Sequence, residues 1–394
     1  MVTRPLPACW QPAADLVETI RGLSALSDDI DGRFERGEPN DAAVATLAAT
    51  GLLGLTLPVR YGGLGCDYTA LAAVCEELGA IDTAHQVSLT VHLALASMCI
   101  LQWGSEAQRE RWLPALARGE RLGTFGLTEP DAGSDVGALR MRARRVPGGY
   151  ELSGEKSWIS AANQASLFVL FATVDPGLRH KGITAFVVPR ELPGLSTTEL
   201  RGKLGLRAGD TGTVVCDRVF VPDDAVLGEP GEGFAVALSA LGNGLFTVGC
   251  GALGIARACR DWTAGFLRAS GDDGRGLDGA LLAGMVAREE TARLLLARAA
   301  ALKDAGMPNA RETGLAKWRA ADAGYANASD ALAVWNRRAA GENPTLLRHQ
   351  LNAKGAVIYG GTAEIHQTMQ GAYALGDRVE RPFRCPSPSA RDLA

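Results

Sequence analysis

Apolar residues recur at helical spacing from about Asp15 to Gly119, as in Tyr68-Thr-Ala-Leu-Ala-Ala-Val-Cys-Glu-Glu-Leu78 and His92-Leu-Ala-Leu-Ala-Ser-Met-Cys-Ile-Leu101. This spacing predicts an all-helical N-terminal region. One break in it, Pro58-Val-Arg-Tyr-Gly-Gly-Leu-Gly65, reads as a loop, because glycines accept backbone angles that other residues avoid. Near Leu122 the pattern changes to β-branched and alternating runs, which predict strands at 149–152, 167–172, 183–188 and 212–221, closed by the turn-rich Pro222-Asp-Asp. From Gly233 the helical period returns in long segments at 249–267, 277–303 and 310–338. The order helices, sheet, helices predicts an α+β chain with domains at 1–121, 122–231 and 232–381. The Pro- and Ser-rich residues 382–394 are expected to fray as a flexible tail.

A chain of 394 residues exceeds a single hydrophobic core, which agrees with this division. Hydrophobic residues make up 47% and charged residues 21%, with no uninterrupted apolar run of membrane-spanning length and no charged-then-apolar leader; a soluble cytoplasmic protein without a membrane role is expected. The net charge of -4 offers nothing to nucleic acid. The eight cysteines are scattered without a CxxC pair, so reduced core thiols and no metal site are expected. The five histidines are dispersed and give no local support to a Ser-His-Asp triad.

Two segments carry candidate chemistry. Thr128-Glu-Pro-Asp-Ala-Gly-Ser-Asp135 suits a loop whose backbone amides approach an anion or a ring edge. Further on, Glu155-Lys-Ser-Trp-Ile-Ser160 sets an aromatic beside a hydroxyl at a strand, the pairing a flavin needs: a flat cover and hydrogen bonds to its polar edge. From these residues alone, a cofactor loop and a plain turn with a core tryptophan both remain open.

In order and spacing these segments, with Lys203-Leu-Gly-Leu-Arg-Ala-Gly-Asp-Thr211, Val221-Pro-Asp-Asp, Gly228-Glu-Pro-Gly-Glu-Gly-Phe234 and Tyr359-Gly-Gly-Thr-Ala-Glu-Ile365, closely resemble the acyl-CoA dehydrogenase family. The likeness runs from Leu52-Leu-Gly-Leu-Thr-Leu-Pro58 to about Gly376. It implies an N-terminal helical domain, a central β-barrel or sheet domain on the flavin-ring side, a C-terminal four-helix bundle, and FAD as cofactor. It implies that Phe125, Leu127, Thr128, Gly133 and Ser134 line the flavin and thioester site. Trp158 would cover the isoalloxazine with Ile159 beside it, and Ser160 would bond its polar edge. From the C-terminal helices, 362–365, including Thr362 and Glu364, would touch the cofactor. Ser134, Leu245 and Gly361 would contact the acyl thioester substrate. A homodimer or homotetramer is implied as well.

In this family a carboxylate removes the α-proton of the thioester while hydride passes from the β-carbon to the flavin. Its two family positions correspond here to Gly360 and Gly244, and glycine cannot take a proton. An arginine that helps hold the CoA arm corresponds to Leu245, which turns the reading towards an acyl group on a carrier protein, with the basic run Arg140-Met-Arg-Ala-Arg-Arg145 as a possible docking face. Two segments that hold the ADP half of FAD correspond to Arg268-Ala-Ser-Gly-Asp-Asp-Gly-Arg275 and Val334-Trp-Asn-Arg-Arg-Ala-Ala-Gly-Glu-Asn343. Both are eroded, with Arg268, Arg337 and Arg338 as replacement phosphate contacts.

Among substitute bases, Glu364 and His366 follow the Gly-Gly-Thr; Glu289 and Glu290 read as a charged helix face; Glu129 and Asp135 read as braces of the flavin loop through backbone amides. The leading expectation is a flavin-dependent oxidoreductase on an acyl thioester in a specialised biosynthetic pathway. The alternatives are a non-oxidative cyclase or lyase or a monooxygenase on the same fold, or a non-catalytic partner subunit.

Overall fold

The computed structural model of the protein describes residues 11, 13–272, 274–380 and 382–393. The first domain holds helices α1 (Ala14–Gly22), α2 (Ile30–Arg36), α3 (Asp41–Ala49), α4 (Tyr68–Ile81), α5 (Thr83–Leu89), α6 (Met98–Trp103) and α7 (Glu106–Ala117). Several start where a short polar side chain satisfies a free amide. Asn40 accepts from Ala43, Asp67 from Ala70, and Ser105 and Gln108 form a reciprocal capping box. Helix α5 continues into α6 through a π-helical stretch, Thr90–Ser97, a winding frequent at functional sites.

Eight strands follow: β1 (Gly123–Gly126), β2 (Arg142–Val146), β3 (Gly149–Ser160), β4 (Leu167–Thr173), β5 (Ile183–Pro189), β6 (Leu195–Glu199), β7 (Thr211–Pro222) and β8 (Val226–Leu227). They form one sheet in the order β6-β7-β3-β2-β4-β5-β8, with β1 parallel on β4. Strand β4 is apolar along nearly its whole length because both of its faces are covered. Leu167, Val169 and Phe171 enter the core shared with the helices, while Phe168, Leu170 and Ala172 enter the sheet's own core.

The third domain is a bundle of α8 (Gly233–Ala269), α9 (Leu277–Asp304), α10 (Ala310–Arg338) and α11 (Pro344–Ala356), followed by α12 (Ala363–Leu375) and the short α13 (Ala390–Leu393). Helix α8 packs against the first domain through glycine: a β-carbon at Gly254 would lie 2.1 Å from the Glu76 carbonyl oxygen. Two stretches, Thr83–Trp103 and Gly233–Ala269, have the length and composition of membrane spans, yet 83% and 78% of their apolar windows are buried in this fold. They are core helices here.

Two expectations are corrected. Glu289 is not on a charged helix face: it is buried, accepts from Arg260 at 2.9 Å and Arg293 at 2.7 Å, and belongs to an ionic network with Glu76. Glu290 is exposed, as a solvated face requires. The expected flexible tail is packed instead. Phe383 meets the Trp103 ring edge-on, Arg384 pairs with Glu232, the Tyr68 hydroxyl donates to Pro388 O at 3.1 Å, and Leu393 is fully buried.

Candidate functional site

The loop between β1 and β2 is held by a buried acid. Glu129 accepts from the backbone amides of Arg140 at 2.5 Å and Met141 at 3.0 Å, and pairs with Lys156 of β3 at 2.7 Å. Lys156 also donates to Leu127 O at 3.1 Å. Burial drives its pKa down to about 8, and the Glu129 carboxylate opposes that fall. The amide of Ser157 donates to Thr128 O, tying the loop to β3. Glu129 is thus the amide brace foreseen for it. Asp135 is not: it pairs with Arg179 on the surface.

Beyond Lys156 the register of β3 against β7 slips, and within that slip Trp158 has a left-handed backbone, φ 59°. Such a φ is an outlier for a bulky residue, of the kind that clusters at functional sites. Its indole is 60% exposed although it is among the largest apolar side chains in the chain. Ile159 turns the other way, its side chain in the sheet core. Ser160 is half-buried, and its carbonyl accepts from Thr124 at 2.6 Å. Phe125 and Leu127 are mostly buried, with Phe125 tilted on Phe171; Thr128 is half-buried, and Gly133 and Ser134 stand exposed at the loop tip.

The helical wall is reached through the π-helical stretch. A β-carbon at Gly123 of β1 would lie 2.8 Å from Ala96 Cβ, and one at Gly244 of α8 would lie 2.7 Å from Leu95 Cδ2. Next to Gly244, Leu245 approaches the second glycine position: a β-carbon at Gly360 would meet Leu245 Cδ2 at 3.5 Å and Lys317 Cε at 3.9 Å. A leucine therefore abuts each of the two candidate base positions. Gly360 and Gly361 have φ of 66° and 86°, a pair of left-handed residues that glycine adopts without strain. Both carbonyls of this turn are held: Lys317 Nζ donates to Gly361 O at 2.7 Å and His366 Nε2 lies 3.3 Å from Gly360 O. Burial first, and then the Lys317 charge, push the His366 pKa down to about 4. Thr362 caps α12 by accepting from Ile365. Glu364 is fully exposed in the first turn of α12, its pKa lowered chiefly by a hydrogen bond with Thr362.

Two of the three arginines considered for phosphate do not stand free. Arg337 pairs with Asp278, and Arg338 with both Asp278 and Asp272. The Arg268 side chain is exposed and makes no hydrogen bond or ion pair among the described residues. In the basic run, Arg140 pairs with Asp131, Arg144 with Glu151 and Arg145 with Asp223, which leaves Arg142.

This arrangement of helical domain, sheet and bundle agrees with three domain profiles described as acyl-CoA dehydrogenase: N-terminal domain at 23–120, middle domain at 124–219 and C-terminal domain at 231–375. The chain belongs to the acyl-CoA dehydrogenase family. It is 34% identical over 339 residues to the short-chain specific acyl-CoA dehydrogenase of Homo sapiens, covering 85% of this chain and 82% of that one. It is 34% identical over 331 residues to an acyl-CoA dehydrogenase of Bacillus subtilis, covering 83% and 87%. Among solved structures, butyryl-CoA dehydrogenase from Megasphaera elsdenii matches with a TM-score of 0.88 and 29% identity over 95% of this chain and 100% of that one. Members of the acyl-CoA dehydrogenase family are FAD-dependent oxidoreductases acting on CH-CH groups.

The isoalloxazine side of this chain fits such a cofactor: an exposed indole on a fixed, left-handed backbone beside a braced loop is a flat cover standing ready. Of the three arginines considered for phosphate, Arg268 alone has an unpaired side chain among the described residues. Sequence reasoning missed Lys317 and Leu95. Each sits in an apolar helical run, Lys317 between Ala316 and Trp318, where only the helical phase hints that it points inward.

Proposed function

We propose that this protein is a flavin-dependent oxidoreductase that removes two hydrogens from an acyl thioester, carried on a carrier protein in preference to CoA, in a cytoplasmic specialised pathway. The observation that carries this reading is the exposed, left-handed Trp158 beside the loop braced by Glu129 and Lys156, in a chain of this family. FAD, when bound, accepts the hydride from the β-carbon. Trp158 would cover its ring, with Thr128 and Ser160 at its polar edge and Arg268 on its phosphate side. Leu95, Leu241 and Leu245, all half-buried, give the acyl chain an apolar wall that excludes water from the reacting carbons.

The carrier reading is supported by Leu245, which brings no charge to the arm of the thioester. It gains little from 140–145, where three of the four arginines are paired. Self-association is supported by Ile358, Ile365, Leu375 and Val379, apolar residues exposed on and around α12.

The test is the mass of the product when FAD-loaded protein meets saturated acyl groups presented on CoA and on a carrier protein. Loss of two hydrogens, faster from the carrier, is expected. Gain of an oxygen, or an unchanged oxidation level, contradicts the reading and favours the monooxygenase or the cyclase and lyase chemistries.

A further inference from the structure

We propose that the amine of Lys317 is the proton acceptor of this site, reaching the α-carbon of the thioester through the gap left by Gly360. The proposal rests on the acyl-thioester reading above. The gap is bounded by Leu245 Cδ2, Lys317 Cε and Val248 Cγ2, at 3.5, 3.9 and 3.9 Å from where a β-carbon at Gly360 would sit. Of these groups only Lys317 ends in a basic atom.

The lysine is held in place from both ends. Its Cα lies 3.2 Å from where a β-carbon at Gly249 would sit, so α10 is pressed onto α8 at this point. At the other end its Nζ donates to Gly361 O at 2.7 Å, its one hydrogen-bond partner among the described residues. The side chain is 1% exposed. A buried ammonium wants three acceptors and finds one, whereas a neutral amine donates once and keeps its lone pair free. Around it, Leu245 and Val248 of α8 are apolar and His366 of α12 is neutral. Asp322, on the same helix, is the acid whose charge opposes the effect of burial, and the net result is a pKa of about 8.

The rival groups are placed less well. Glu364 stands in solvent, hydrogen-bonded to Thr362. His366 directs Nε2 at Gly360 O, and its Nδ1 is buried without a partner, 3.4 Å from where a β-carbon at Gly314 would sit. In the proposed step the Cα–H bond breaks, its electron pair stays on the thioester as the enolate, and the proton forms a new N–H bond that turns the Lys317 amine into an ammonium.

Proton exchange can be read separately from oxidation. FAD-loaded protein, its flavin reduced beforehand with dithionite, is incubated in D2O with butyryl-CoA and with butyryl-pantetheine, and loss of the α-proton signal is followed by NMR. The wild type is expected to exchange at a rate that rises with pH and levels off above about 8. Lys317→Gln keeps a donor for Gly361 O, and Lys317→Arg keeps the charge. Each is expected to lower exchange by about 100-fold or more while leaving the flavin spectrum close to wild type, and the uncharged Lys317→Gln is expected to keep the melting temperature as well. Exchange within a few-fold of wild type in either variant overturns the proposal, as does a wild type that exchanges neither probe. A wild type that exchanges through Lys317 yet yields no desaturated product sinks the oxidative reading and leaves the lysine's role standing.

Discussion

At the scale of single residues, Trp158 carries the cofactor reading and accepts an unfavourable backbone to do so. An indole in a left-handed conformation and largely in solvent contributes little to folding, so its removal has a sign that separates the roles. Trp158→Ala is expected to weaken flavin binding by roughly 10-fold, the worth of an aromatic stacking contact, and to leave the melting temperature unchanged or raised. Isothermal titration with FAD and a thermal melt of the apoprotein check both halves. Trp158 was legible in the sequence because an aromatic, a hydroxyl and a strand pattern fall together at 155–160. The inward turn of the Ile159 side chain was not legible, because the register slip at Lys156, which decides which neighbour faces the sheet core, leaves no trace in residue types. Lys317 was illegible for a related reason: its meaning comes from Gly249, Gly360 and Gly361, all distant in sequence.

At the scale of elements, the helices and strands follow from periodicity, and the sheet shows why. The apolar run of β4 reads as a strand buried on both faces because its alternate residues serve two cores. Periodicity does not say which charges the packed elements bury. Lys156, Lys203, Lys303 and Lys317 all have pKa values lowered to about 8, chiefly by burial. Unfolded lysines hold their protons to about pH 10.4. Above pH 8 the folded chain therefore binds fewer protons than the unfolded one, and stability rises with pH.

On the alkaline side this rise is opposed near pH 9, where the unfolded thiols ionise and the buried Cys75, Cys99 and Cys250, with pKa values pushed up by burial, do not. On the acid side His92 and His366, lowered to about 4 by burial, stay neutral in the fold, so stability is lost as pH falls from about 6.5 towards 4. The urea midpoint is expected to climb between pH 7 and 8 in the wild type, where the folded lysines begin to lose protons and the unfolded thiols have not. The climb should be shallower in Lys303→Met, whose lysine lies buried against Asn243 and the Tyr68 and Phe246 rings. An identical slope in the two proteins contradicts the assignment.

At the scale of the whole molecule, the chain beyond the matched C-terminal domain ties the parts together. Glu380 accepts from the amides of Asn309 and Ala310 at the start of α10, Arg384 pairs with Glu232 before α8, Ser387 meets Gln102, and Leu393 is buried. Composition suggested a frayed end because Pro and Ser are common in loose segments, whereas the anchors here are separate residues spread along it. Truncation after Gly376 is expected to cost about 2–5 kcal/mol from the lost burial of Leu393 and the Phe383 contact, seen as a lower melting temperature and faster proteolysis near Trp103. An unchanged melt contradicts this role. The three-domain order was legible throughout; the convergence of Leu245, Gly360 and Lys317 was not, since it needs α8, α10 and the turn before α12 brought together.

The most direct measurement is the visible absorption spectrum of the FAD-loaded protein, recorded anaerobically while saturated acyl thioesters on CoA, pantetheine and carrier protein are added. A thioester oxidoreductase gives the bands of oxidised flavin before addition and loses them in proportion to the right substrate. A protein that takes up no flavin, or one whose bands stay unchanged with every thioester, contradicts the reading.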